Sequence, residues 1–253
     1  MNKALFVAWR SGKHVHQGWG PVGRLDYDGA TYRFSYTRGA KLLDGFQPFE
    51  QMKDLTEVYE SPNLFPVFAN RLLSESRPEY EAFLTWGGFN ADDAPDPIAI
   101  LSVTEGIRQT DQIEVFPCPV PDTDGCFLSK FFVHGIRWMD DSSLSRIERL
   151  EADEKLFLML DIGNEYDSNA VSLRTDTDRV MVGYVPRYLA RDINRLTHDC
   201  GPAHVEVYVD RVNRDAPLRH RVLCRVRACW PEEFQPCLGD EFLPISSSVP
   251  ERC

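Results

Sequence analysis

The sequence predicts an α+β chain in two modules: a small mixed α/β unit, then a six-stranded, strongly curved sheet or partly open β-barrel with two short helices. Three observations lead there. Apolar and period-two runs of strand length dominate residues 127–232, with helical periodicity confined to about 142–149 and 186–197. Residues 1–116 instead mix strand-like runs with two helical stretches. Between the two lies Phe116-Pro-Cys-Pro-Val-Pro-Asp-Thr-Asp-Gly125, whose three prolines and turn cluster make a stiff connector rather than an element. The expected division is therefore 1–116, a linker at 117–126, a second module at 127–232 and a tail at 233–253.

In the first module, Leu5-Phe-Val-Ala-Trp9, Arg24-Leu-Asp-Tyr27 and Thr31-Tyr-Arg-Phe-Ser-Tyr36 read as strands, the latter two joined by the hairpin dipeptide Asp28-Gly29. Leu64, Phe68 and Leu72 recur at helical spacing after a Ser61-Pro62-Asn63 start signal. A second helix runs from Pro78 to Trp86 and stops at Gly87-Gly88. Pro97-Ile-Ala-Ile-Leu-Ser-Val103 is expected as a last strand. In the second module, strands are expected at 131–136, 155–160, 170–174 and 180–185. A hairpin of 205–210 with 221–228 follows, and the alternation of its strands gives each one buried and one wet face. The Pro- and Ser-rich stretch from Pro231 onward reads as a tail packed along the surface.

The 253 residues include 28 Lys+Arg and 39 Asp+Glu, a net charge of −11, with 43% hydrophobic and 26% charged residues. That is ordinary globular composition and excludes wholesale disorder. The acidity is uneven. Residues 1–125 hold 11 basic and 18 acidic residues, whereas 126–232 hold 16 and 17. A nearly neutral second module rich in arginine argues against non-specific coating of a polyanion, yet leaves room for a small local site. No stretch approaches the ~20 apolar residues of a membrane span. The apolar run from Ala4 to Trp9 is too short for a signal-peptide core. Seven cysteines without a signal are expected as reduced thiols in a soluble, cytoplasmic protein of bacterial style. Their odd count and irregular spacing argue against a disulfide framework.

Most catalytic chemistry lacks its residues. Gly18-Trp-Gly-Pro-Val-Gly23 matches a dinucleotide-loop pattern, but a strand rather than a helix follows it, so it is expected as a glycine-rich turn. There is no phosphate-binding Walker loop, zincin motif, serine elbow or kinase metal set. Asp176 and Asp178 fall in a hairpin turn. His198, Cys200 and His204 cluster without the Cys-x-x-Cys spacing that brings two thiolates to one zinc. Cys224 alternates with Val222 and Val226 and is expected as an inert core thiol. The expectation is a non-enzymatic protein with no metal and no cofactor.

One constellation does carry chemistry. His134-Gly-Ile-Arg-Trp138 is read as a strand ending in an Arg–Trp pair. Asn164-Glu-Tyr-Asp-Ser-Asn-Ala-Val171 is a turn holding Tyr166 and Asp167. Val182-Gly-Tyr-Val-Pro-Arg-Tyr-Leu-Ala190 is a strand that breaks at Pro186 and opens a helix. In that helix Leu189, Ile193 and Leu196 form the apolar stripe, and Arg187, Arg191 and Arg195 share another face. Aromatic rings stack on exposed bases and guanidinium groups neutralise phosphates. A lone carboxylate among them accepts a hydrogen bond from a sugar hydroxyl but repels a phosphate, which suits a strand end. The structural alternative is local turn capping by Asn164 and Asp167, Tyr166 as a core lid, and solvated arginines; Arg221, Arg225 and Arg227 would pair across the hairpin with Glu206 and Asp210.

The order HGIRW … NEYDSNAV … VGYVPRYLA resembles the HIRAN domain family over about residues 127–229. That resemblance implies an OB-like β-barrel that captures the 3′ end of single-stranded DNA. Arg137 and Trp138 would contact the terminal nucleotide, Trp138 keeping the stacking face of a tyrosine without its hydroxyl. Tyr166 would stack on a base, and Asp167 would accept from the free 3′-hydroxyl. Tyr184 and Arg187 would flank the phosphate. Residues 1–116 resemble the N-terminal subdomain of HipA-type toxin kinases, through Gly23-Arg-Leu-Asp-Tyr27, Tyr32-Arg-Phe-Ser-Tyr36 and the Leu64–Leu72 segment. With no kinase body present, this half implies a protein-interaction module.

The expected function is thus non-enzymatic capture of single-stranded DNA 3′ ends, with a protein partner held through residues 1–116. The alternative is a regulatory component of a toxin–antitoxin or phage-defence locus with a degenerate DNA pocket.

Overall fold

The computed structural model describes residues 3–11, 18–90, 92, 95–108 and 110–247. The chain divides into two compact units that interleave in sequence. The first joins Met1–Tyr80, Pro95–Cys118 and Cys237–Cys253; the second joins Glu81–Ala94 and Pro119–Pro236. Among the described residues no helix is long and apolar enough to cross a membrane.

The first unit holds five antiparallel strands, β1 (Lys3–Arg10), β2 (Trp19–Tyr27), β3 (Tyr32–Tyr36), β4 (Val58–Ser61) and β5 (Ile113–Pro117), in the order β4-β3-β2-β1-β5. Alternation sorts β1 between two apolar faces. Leu5 and Val7 join a core with Val22, Leu25, Phe34, Phe68 and Leu101. Phe6 packs on the other side against Phe116 and Phe242. The C-terminal segment supplies that cover: Arg38 N donates to Leu243 O, and Ile245 N donates to Tyr36 O.

Several local expectations give way. Gly18–Gly23 is not a turn, because β2 begins at Trp19; the register shift between Val7 and Ala8 accommodates Pro21, which cannot donate to the ladder. Residues 97–103 form a helix, not a strand. Asp96 caps it by accepting from Ala99 N at 3.0 Å, and Pro97 opens the first turn of Pro97–Thr104. A segment this apolar carries no clear period, so only its cap distinguishes the two readings. The helix expected over 64–73 shrinks to Pro66–Ala69. Just beyond it, buried Arg71 turns inward to donate to Gly106 O and to pair with Asp111.

With α1 (Gly39–Leu42), α2 (Pro66–Ala69), α3 (Tyr80–Trp86) and α4 (Pro97–Thr104), the first part of the chain alternates short helices with strands. Most of α3 packs with the second unit, where Asn213 Nδ2 donates to Trp86 O at 3.0 Å.

The second unit is a curled antiparallel sheet of six strands. These are β6 (Cys126–Phe132), β7 (Lys155–Leu160), β8 (Val171–Arg174), β9 (Met181–Tyr184), β10 (Glu206–Val212) and β11 (Val222–Cys229), in the order β6-β11-β10-β7-β8-β9. Its two end strands nearly meet. Immediately after β6, His134 forms an isolated antiparallel bridge with Tyr184 of β9, N to O at 2.9 Å in both directions. The sheet is therefore a partly closed barrel, filled by Phe127, Phe131, Leu173, Val182, Val207, Val226 and their neighbours. Besides most of α3, the helices α5 (Asp141–Ile147) and α6 (Arg187–Cys200) accompany it, the latter burying Leu189, Ile193 and Leu196.

The cysteine expectation is overturned in one respect. Cys200, at the end of α6, forms a disulfide with Cys229, at the end of β11. Pairs brought together by tertiary folding leave no spacing motif, which is why the sequence conceals this one. Cys118 is disulfide-bonded as well. Cys224 is fully buried on its strand and burial pushes its thiol well above the ordinary range, as expected of an inert core cysteine.

Candidate functional site

The site is built on the connection between β7 and β8. Asp161 N donates to Ala170 O at 2.9 Å and closes the base of this ten-residue loop. Asn164 Oδ1 accepts from both Tyr166 N and Asp167 N at 3.0 Å, and Asp167 Oδ1 accepts from Asn169 N at 2.9 Å. Two successive side-chain turns thus fix the backbone where an unsupported loop would be mobile. The local capping roles of Asn164 and Asp167 are real, and they do not consume the rest of the site. Tyr166 is no core lid: 60% of it is exposed.

Tyr184 links the loop to the barrel. Its hydroxyl donates to Asp161 Oδ2 at 3.0 Å, and Asn164 Nδ2 donates to the same oxygen at 2.9 Å. Burial, then the neighbouring Asp161 carboxylate, raises the pKa of the phenol above its ordinary value, so the hydroxyl stays a donor at neutral pH. Asp161 is a positioning residue that sequence reasoning did not single out; its signal was a carboxylate at the first position of the loop. Replacing Tyr184 by Phe is expected to keep the ring and release Asp161, costing about 1.5–3 kcal/mol of unfolding free energy in a urea titration, the range for a hydrogen bond to a charged group.

Arg187 opens α6 directly after Pro186. Its Nε lies 3.8 Å from Asp167 Oδ2, an ion pair longer than a hydrogen bond. Farther along the helix, Asn194 Nδ2 donates to Asn169 O at 2.9 Å, so one face of α6 runs beside the loop. Arg137 and Trp138 sit in a short 3₁₀ turn, Ile136–Trp138, rather than on the expected strand. The cause is Gly135: at φ +77° it turns the chain out of the sheet just after the His134–Tyr184 bridge. A Cβ at Gly135 would lie 3.0 Å from Tyr184 Cδ2, so this turn leans on the Tyr184 ring. Trp138 is 74% exposed, with the Arg137 guanidinium 4.6 Å from its ring centre. The fold brings Tyr166, Asp167, Tyr184 and Arg187 together around one loop, and Gly135, which starts the turn bearing Arg137 and Trp138, lies against the Tyr184 ring.

Most other arginines of this unit are committed within it. Arg146 pairs with Glu154 and Asp178, Arg221 with Glu148, and Arg225 with Asp153 and Asp210. Among the described residues only Arg225–Asp210 follows the expected cross-hairpin pairing; Glu206 pairs with Lys155 instead. Arg195 leaves the solvated row: its guanidinium donates to Gln235 O at 2.6 Å and covers the Phe234 ring. Among the described residues no group of three or more His, Cys, Asp or Glu could hold a metal ion. The disulfide takes the Cys200 sulfur, and His204 Nδ1 lies against Cys200 O.

Residues 127–229 match the family model of the HIRAN domain. Two solved structures are similar over the same share of the chain. A protein from Lactobacillus plantarum is 21% identical, with 41% of this chain and 99% of that one covered, at a TM-score of 0.30. The HIRAN domain of human HLTF is 16% identical, covering 42% of this chain and 79% of that one, at a TM-score of 0.31. No curated protein matches the chain. The expected likeness of residues 1–116 to the N-terminal subdomain of HipA-type kinases finds no support in any of these matches.

Proposed function

We propose that the second unit binds nucleic acid, and that its ligand is the 3′-hydroxyl end of a single DNA strand, held without chemical turnover. The family match over residues 127–229 supports nucleic-acid binding. The finer reading rests on one observation: Asp167 Oδ2 and Arg187 Nε face each other at 3.8 Å beside an exposed tyrosine. A carboxylate and a guanidinium this close, but too far apart to hydrogen-bond to each other, offer an acceptor for a hydroxyl and a cation for the phosphate on the same nucleotide. Tyr166 supplies the stacking face, with Trp138 and Arg137 as a second platform.

Asp167 provides the discriminating test. A 3′-phosphate would bring negative charge against its carboxylate, whereas a 3′-hydroxyl donates to it. A hydrogen bond to a charged acceptor is worth about 1.5–3 kcal/mol, so an oligonucleotide ending in 3′-hydroxyl should bind about 10- to 100-fold more tightly than its 3′-phosphate form. In Asp167→Asn the gap should narrow. Fluorescence anisotropy on short labelled strands measures both; equal affinity of the two ends for the unaltered protein rules out the role given to Asp167.

A further inference from the structure

The three arginines spaced one turn apart on α6 are not equivalent. Arg187 sits beside Asp167, and Arg195 is turned away onto Gln235 O and the Phe234 ring. Between them Arg191 is exposed. Its position on the helix is fixed on both sides by contacts to the same loop: Arg187 meets Asp167 four residues before it, and Asn194 bonds Asn169 O three residues after it. Residues at i, i+4 and i+7 share a helix face, so Arg191 lies on the face that borders the β7–β8 loop. The helix rises about 5.4 Å per turn, a step comparable with that between neighbouring phosphates of an extended strand.

We propose that Arg191 holds the second phosphate of the bound strand, one nucleotide upstream of the phosphate at Arg187. This inference rests on the end-binding reading and adds the size of the site. The pocket takes two phosphates along α6 and stops there, because the Arg195 guanidinium is turned onto Gln235 O and the Phe234 ring. A site closed after two phosphates fits residues 126–232, where 16 basic and 17 acidic residues nearly cancel and several arginines pair with carboxylates.

The test uses the full chain with 3′-hydroxyl thymidine oligonucleotides of two and three residues, which carry one and two internucleotide phosphates. For the unaltered protein the trinucleotide should bind about fivefold more tightly at low salt, the most one exposed ion pair supplies. Arg191→Gln should erase that gain and leave dinucleotide affinity unchanged. It should also flatten the dependence of log K on log[salt] for the trinucleotide by about 0.7, the value for one single-strand phosphate. Arg191→Lys should restore both, and Arg195→Gln should leave the slope as it was. Equal loss on both oligonucleotides, or no loss on either, overturns the assignment of Arg191. Failure of the unaltered protein to bind either one overturns the end-binding reading beneath it.

Discussion

Replacing Gly183 by Ala is expected to lower the unfolding free energy of the second unit by about 3–5 kcal/mol and to abolish oligonucleotide binding, because this glycine stands where the sheet curls shut. Its φ is +139°, a backbone conformation that residues with a side chain rarely adopt. A Cβ there would lie 2.5 Å from the carbonyl oxygen of His134 and 2.5 Å from Val133 Cγ1. Neither neighbour can yield cheaply. The His134 carbonyl accepts from Tyr184 N in the bridge, and Val133 is a buried residue whose own N donates to Val222 O. Backbone strain and overpacking each cost about 1–3 kcal/mol. Any relief must move β9 away from His134. That shift carries Tyr184, and with it Asp161, the β7–β8 loop and the turn bearing Arg137 and Trp138. Gly163→Ala is the matched control. No atom lies within 4 Å of a Cβ at that loop position, so its stability should stay within about 0.5 kcal/mol of the parent. Urea unfolding followed by tryptophan fluorescence separates the two outcomes. Equal stability of both variants would show that the His134–Tyr184 bridge does not constrain the barrel.

The parts of this arrangement that the sequence revealed are those where a single local pattern decides. Alternation in 205–210 and 221–228 identified a hairpin with one buried face, and the stripe Leu189, Ile193 and Leu196 identified α6. The turn holding Tyr166 and Asp167 was legible because Asn and Asp cap backbone amides two or three residues ahead. What remained hidden depends on partners distant in the chain. Residues 97–104 are apolar but for Ser102 and Thr104 and carry no clear period, and their helix rests on Asp96 as a cap. Residues 134–138 follow the apolar run 131–133 and read as its continuation in a strand, yet Gly135 turns 136–138 out of the sheet. Arg195 carries the same spacing signal as Arg187 and Arg191, and only the position of the 234–235 segment shows that it faces the protein. Asp161 gains its role from Tyr184, 23 residues later. Residue types marked the site, while the bonds that hold them in register had to be seen in three dimensions.

The second large effect concerns the Cys200–Cys229 bond, which ties the last turn of α6 to the end of β11 across 29 residues of sequence. Closing a loop of that length removes chain entropy from the unfolded state worth about 3–4 kcal/mol at 25 °C. The double variant Cys200→Ser/Cys229→Ser is therefore expected to unfold about 7–14 °C lower than the parent, at about 2–4 °C per kcal/mol for a domain of this size. The paired variant is preferred to reductant, since Cys118 is disulfide-bonded too and would respond at the same time. Loss of the bond should act on stability more than on the site. The residues that anchor α6, Leu189, Ile193 and Leu196, lie toward the start and middle of the helix, and Arg187 is at its first turn. Near 25 °C, where the variant remains folded, oligonucleotide affinity should thus stay within about twofold of the parent, since a cross-link constrains mainly the unfolded ensemble. A thermal midpoint unchanged in the variant would mean that the two sulfurs are not joined in solution. A loss of affinity that parallels the loss of stability would place the far end of α6, rather than its apolar stripe, in control of Arg187.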